Sequence, residues 1–206
     1  MLLELTEILR CPADHEESYV VCVTYAVLGS HVVRGVIGCP VCLAEYPIVE
    51  GVADLRGQGH RGTGAQGHSD GAPVAGPLTA ESAATFLGLR GPGGYVLLAG
   101  ASARLAGALA ALVPGVHVVC VNAPDALPRA AAASYLRAAN GMPVKSSWMR
   151  GVVLGADCAG EPWLGEGARV VLEGLRVVVE DERAAPEGVT ELARGGGVSV
   201  WERRSR

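Results

Sequence analysis

The reading of this chain turns on one stretch. Leu9-Arg10-Cys11-Pro12-Ala13-Asp14-His15 opens it, and Cys39-Pro40-Val41-Cys42 followed by Tyr46-Pro47-Ile48-Val49-Glu50-Gly51 closes it. Cys39 and Cys42 are separated by two residues, one of them proline, the spacing of a tight turn that aims two thiolates at one metal ion. The opening half is irregular. Position 14, where a second C-x-x-C would place its cysteine, holds Asp14, and His15 follows it. Three arrangements are open. Cys11, His15, Cys39 and Cys42 hold Zn²⁺; or Asp14 takes the place of His15; or the site is empty and the fold stands on apolar contacts. Imidazole suits a structural zinc site better than a carboxylate, which favours His15. A closed four-ligand site leaves no position for water, so its role is structural.

Around these ligands the pattern predicts a small α+β unit. Leu2, Leu3, Leu5, Ile8 and Leu9 form an apolar stripe over residues 2–10, expected as a short helix. Residues 19–28 and 31–37 are rich in β-branched and aromatic residues and read as two strands joined at Gly29-Ser30. Residues 45–50 read as a short extended segment, and Cys22 falls mid-strand, away from the ligands.

The apolar stripe before Cys11-Pro12, the hairpin, Cys39-Pro40-Val41-Cys42 and Tyr46–Gly51 together resemble the small zinc-ribbon activator subunits of tRNA- and translation-factor methyltransferases. The resemblance covers residues 1–55. It implies a partner-binding, non-catalytic module that often carries one Zn²⁺. Asp14 departs from the family pattern.

From residue 56 to 78 the composition changes to glycine with almost no large apolar residues, expected as a flexible linker and a domain boundary. His60 and His68 fall within it, and two isolated histidines are too few ligands for a closed site. A second domain is expected over residues 79–206. Thr79 can cap a helix running to about Leu89. Tyr95–Ala99, Val116–Val121, Met149–Leu154 and Leu175–Glu180 read as buried strands. Ala103–Leu112, Ala126–Ala139 and Pro162–Leu172 read as helices, and Val189–Ala193 with Val198–Arg203 as a closing hairpin. Apolar strands alternating with helices imply a Rossmann-like, mostly parallel, doubly wound sheet with a C-terminal antiparallel hairpin. The fold class is therefore α/β, with a small zinc-ribbon-like domain in front.

Residues 80–203 are similar in this pattern to the class I S-adenosylmethionine-dependent methyltransferases. The segment Ala168–Glu180 resembles that family's helix, tight turn at Gly174 and fifth strand. The resemblance implies a cofactor held by a glycine-rich turn and by an acid at the end of the second strand. The turn here is Ala99-Gly100-Ala101-Ser102-Ala103-Arg104, with Gly100 as its first glycine and Ser102 where another is expected. The second strand ends in Asn122 in place of an acid, with Asp125 three residues on. Gly100, Ser102 and Asn122 are thus the candidate cofactor-binding residues, and their departures predict that S-adenosylmethionine binding is lost or much weakened. Asp157 is the one candidate catalytic group, with a turn or cap aspartate as its plainer reading. Cys158 and Cys120 read as buried thiols.

Bulk properties set the limits. The chain has 206 residues, half of them hydrophobic, with one Phe and a formal net charge of −4. That balance argues against a protein that binds nucleic acid mainly through charge. Six cysteines crowded toward the N-terminal part fit a reducing compartment, and a start with acids and no basic run is unlike a signal peptide, so a cytoplasmic location is expected. No run of about 18 apolar residues predicts a membrane span. Two functions follow. The first is a non-catalytic accessory or scaffold protein that binds a protein partner through the sheet edge or the Leu2–Leu9 helix of the ribbon-like module. The other is an S-adenosylmethionine-dependent methyltransferase with its activator fused in cis.

Overall fold

The computed structural model describes residues 1–57 and 75–205. His60, His68 and most of the expected linker lie outside the described residues. One mixed sheet of 11 strands runs through the molecule: β1 (Val21–Leu28), β2 (His31–Gly38), β3 (Glu45–Val49), β4 (Val52–Asp54), β5 (Tyr95–Ala99), β6 (His117–Val121), β7 (Ala133–Arg137), β8 (Met149–Leu154), β9 (Val171–Val179), β10 (Val189–Gly195) and β11 (Val198–Arg203). Their spatial order is β1-β2-β3-β4-β7-β6-β5-β8-β9-β11-β10. Strands β4 to β9, as they lie side by side, are parallel. β1–β3 meander antiparallel at one end, and the β10–β11 hairpin closes the other, with β11 antiparallel to β9.

The N-terminal unit and the α/β unit therefore share their backbone hydrogen bonding. Val52, Ala53 and Asp54 pair in parallel with Tyr135, Leu136 and Arg137 across the expected domain boundary. They share a core as well. Val96 and Leu98 of β5, with Val118 and Cys120 of β6, pack under α1 (Ala80–Leu87) and α2 (Ala106–Leu112). The alternate residues Leu97, Ala99, Val119 and Val121 face the opposite side, as the two-residue period of a strand requires. That side is roofed by Leu5, Ile8 and Leu9, by Met142 and Val144, and by α3 (Trp163–Val170).

This roof explains two corrections. Ala126–Ala139, expected as a helix, contains β7 instead, because the slot between β4 and β6 supplies ladder partners on both sides and overrides the helix propensity of the alanines. Neither the β6–β7 nor the β7–β8 connection contains a helix. The N-terminal turn covers the sheet there. That turn, expected as a docking helix, is a 3₁₀ helix of five residues (Leu3–Glu7), and Leu5, Ile8 and Leu9 are at most 1% exposed beneath the chain's own strands. Their burial stabilises this junction by about 1.5–3 kcal/mol per side chain, and it leaves Leu3 as the one exposed leucine of the stripe.

The caps and turns are local. Thr79 accepts from the backbone N–H of Ser82 while the Ser82 hydroxyl accepts from the N–H of Thr79, a reciprocal cap on α1. Gly174, expected as a turn before the fifth strand, lies inside β9 at φ +72°, where the ladder to β8 skips from Val171 to Arg176. The left-handed conformation makes this bulge a glycine position.

Candidate metal centre and the turns at the switch point

Cys39 and Cys42 flank the turn after β2. The Leu43 N–H donates to the Cys39 carbonyl at 3.0 Å, and the Cys39 N–H to Ala44 at 2.9 Å. Cys11 and His15 approach from residues 10–20, which form no helix or strand. One donor atom from each of Cys11, His15, Cys39 and Cys42 comes together, all within 4.8 Å of one another. Cys11 Sγ lies 3.6 Å from Cys42 Sγ, and Cys39 Sγ 3.4 Å from His15 Nε2. Asp14 is exposed and outside this group, and Cys22 is also outside it.

The donor set fits zinc. A tetrahedral ion bound at ordinary zinc–sulfur and zinc–nitrogen lengths separates its ligands by about 3.8 Å (S to S) and about 3.6 Å (S to N). The Cys11–Cys42 and Cys39–His15 spacings are close to these, and with all four donor atoms within 4.8 Å Cys11, His15, Cys39 and Cys42 could hold the ion. The local electrostatics agree. Burial pushes the Cys39 thiol up, but the backbone N–H groups of Cys42 and Val41 and the neighbouring thiols outweigh it and hold Cys39 at about 6. Cys11 is pushed up by burial, against a hydrogen bond with the Tyr46 hydroxyl at 3.3 Å. His15 is raised, first by its 2.7 Å contact with the Glu16 carbonyl. Tyr46 was part of the motif quoted above, but its side-chain role follows only from β3 running beside the ligand turn.

The second candidate site is set by topology. In an open parallel sheet, ligands bind beyond the carboxyl ends of the strands where the winding reverses. Here the reversal lies between β5 and β8: the chain proceeds outward from β5 through β6 to β7 on one side, and from β8 to β9 on the other. The relevant turns are Gly100–Arg104 after β5 and Gly155–Cys158 after β8. The structure brings Gly100, Ser102 and Asp157 together there, and each is engaged by the protein itself. The Ala101 N–H donates to the Asp157 carboxylate at 2.9 and 3.2 Å. Gly100 has φ +64°, and a Cβ there would collide with that carboxylate. Ser102 is fully buried, and its hydroxyl donates to the carbonyls of Ala99 (2.8 Å) and Val153 (3.1 Å). Arg104 forms an ion pair with Glu180, buried at the end of β9, and donates to the carbonyls of Ala101 and Leu78.

Asn122 follows Val121, whose partner in β5 is Ala99, the residue before Gly100. Its amide donates to the Ala138 carbonyl and accepts from the Ala138 N–H, both at 2.9 Å, tying β6 to the chain after β7. Asp125 is exposed and paired with Arg137. The Ala101 N–H, the Ser102 hydroxyl and the Asn122 amide all bond within the chain. The Arg104–Glu180 ion pair has no signal in the sequence, because only the sheet brings residues 76 apart together. Cys120 and Cys158 are buried thiols, each pushed up to about 12 by burial.

No family model matches the chain, and no curated protein matches it. Several of the solved structures it is similar to are methyltransferases. A geranyl diphosphate methyltransferase solved with GPP and sinefungin matches at 18% identity and a TM-score of 0.37, over 48% of this chain and 43% of that one. The antibiotic-resistance methyltransferase Kmr matches at 14% identity and a TM-score of 0.41, over 61% of this chain and 94% of that one. The glycopeptide N-methyltransferase MtfA, complexed with sinefungin, matches at 15% identity and a TM-score of 0.38, over 66% and 65%. The chain spans less than half the length of the geranyl diphosphate enzyme. At these levels the likeness bears on neither activity nor ligand. Among the described residues no helix is long and apolar enough to cross a membrane.

Proposed function

We propose that this chain is a non-catalytic accessory or scaffold protein, in which a zinc-ribbon-like unit is built into a methyltransferase-like sheet that no longer holds its cofactor. The observation that carries this reading is the Asp157 carboxylate on the Ala101 N–H at the switch point. A cofactor carboxylate or ribose seeking the same N–H must displace an anion that the fold itself positions. Zinc at Cys11, His15, Cys39 and Cys42 serves as a structural support for the ribbon. The cis-fused methyltransferase requires Asp157 to swing away and Asn122 to release Ala138. Isothermal titration with S-adenosylmethionine separates the two: no heat at millimolar ligand is expected, and binding in the micromolar range overturns the accessory reading.

A protein partner is the remaining part of the proposal, and β1 is its surface. β1 carries no charge and no proline, and Val21, Val23, Tyr25 and Val27 are exposed along it. β10, at the other end of the sheet, is guarded by the Glu191–Arg194 pair. An uncharged edge strand offers its free N–H and C=O groups to a strand from another chain.

A further inference from the structure

The metal ligands and the joint between the two halves share one short segment. Residues 10–17 form no helix or strand, and past Cys11 none of their side chains is buried. Apolar packing therefore does little to fix the path from Pro12 to Glu17. At one end Arg10 reaches Glu166 of α3 at 3.4 Å, and its backbone N–H donates to the Pro143 carbonyl at 3.2 Å. At the other end the Glu17 carboxylate accepts from the backbone N–H of Ser146 at 3.1 Å and from its hydroxyl at 3.2 Å, with Arg169 of α3 at 3.8 Å. Cys11 and His15 lie between these two contacts. Arg169 also donates to the carbonyls of Met142 and Val144, so the β7–β8 connection is held partly by Glu17 and partly by α3.

We infer that residues 10–17 act as a metal-dependent clasp: an ion held by Cys11 and His15 fixes the arc that seats Glu17 on Ser146 and Arg169, so metal occupancy is coupled to the docking of the β7–β8 connection. This rests on the zinc reading above. The physical ground is that two ligands four residues apart, pulled to one ion, remove most of the conformational freedom of the arc between them. Coupling of this kind is reciprocal: whatever zinc does for the Glu17 contacts, those contacts do for zinc affinity, by the same factor.

The test uses the full chain and Zn²⁺ alone, with hydrogen exchange read peptide by peptide and zinc affinity read by chelator competition. Removing zinc from the wild-type protein is expected to speed exchange in residues 143–148 roughly tenfold, the size set by losing hydrogen bonds to one charged group, while β5 and β6 stay protected. Glu17→Gln, which touches no ligand, is expected to keep one zinc per chain, to loosen residues 143–148 even when loaded, and to weaken zinc binding by a similar factor. Loading followed by unchanged exchange in 143–148 overturns the clasp, as does a Glu17→Gln protein with wild-type zinc affinity. Exchange that rises equally through β5 and β6 on zinc removal also overturns it, since zinc would then support the whole sheet. If the wild-type chain takes up no zinc, the metal reading itself fails.

Discussion

The Arg104–Glu180 pair offers a quantitative test of the packing beside the switch point. The Glu180 side chain is 1% exposed and the Arg104 side chain 15%. Glu180 also accepts from the Leu78 N–H at 3.3 Å, a long bond. In Arg104→Leu the carboxylate is left buried without its partner, which costs about 3–5 kcal/mol. Losing the Arg104 bonds to the Ala101 and Leu78 carbonyls adds about 1 kcal/mol. The expected loss of stability is therefore about 4–6 kcal/mol. Urea unfolding followed by tryptophan emission reads it, since Trp201 is fully buried in β11. The double variant Arg104→Leu/Glu180→Gln removes both charges and should recover most of the loss. A single variant destabilised by less than about 1 kcal/mol would refute the reasoning.

Three further outcomes are expected. Cys39→Ser should abolish stoichiometric zinc binding by metal analysis, whereas Asp14→Asn should leave it unchanged because Asp14 lies outside the ligand group. Leu5→Ala should cost about 2–5 kcal/mol in urea unfolding; a loss under about 1 kcal/mol would show that the N-terminal turn does not roof the sheet. His117, half-buried between β5 and β7, is lowered to about 4 by burial first and then by His31 and the N-terminal ammonium. The folded chain thus binds fewer protons than the unfolded one below about pH 6.5, so stability should fall as pH drops from about 6.5 toward 4. Discounted for its partial exposure, the effect is roughly 1–2 kcal/mol, and His117→Asn should flatten the profile in that window.

The sequence by itself determined the local features of this protein. Cys39 and Cys42 could be placed on one tight turn because their two-residue spacing is a local geometry. Tyr95–Ala99 and Met149–Leu154 could be read as strands because buried parallel strands are continuous apolar runs. Thr79 could be read as a cap because capping spans three residues. Only the tertiary structure decided what joins these pieces. β7 is a strand because β4 and β6 flank it, although its alanines favour helix. Leu2–Leu9 is a roof because the sheet lacks two crossover helices beneath it. Asn122 and the Ala101 N–H carry no mark in sequence of being spent on Ala138 and Asp157. Those bonds link residues 16 and 56 positions apart. Spacing and periodicity describe neighbours along the chain, whereas the availability of a hydrogen-bonding group depends on what the folded sheet brings against it.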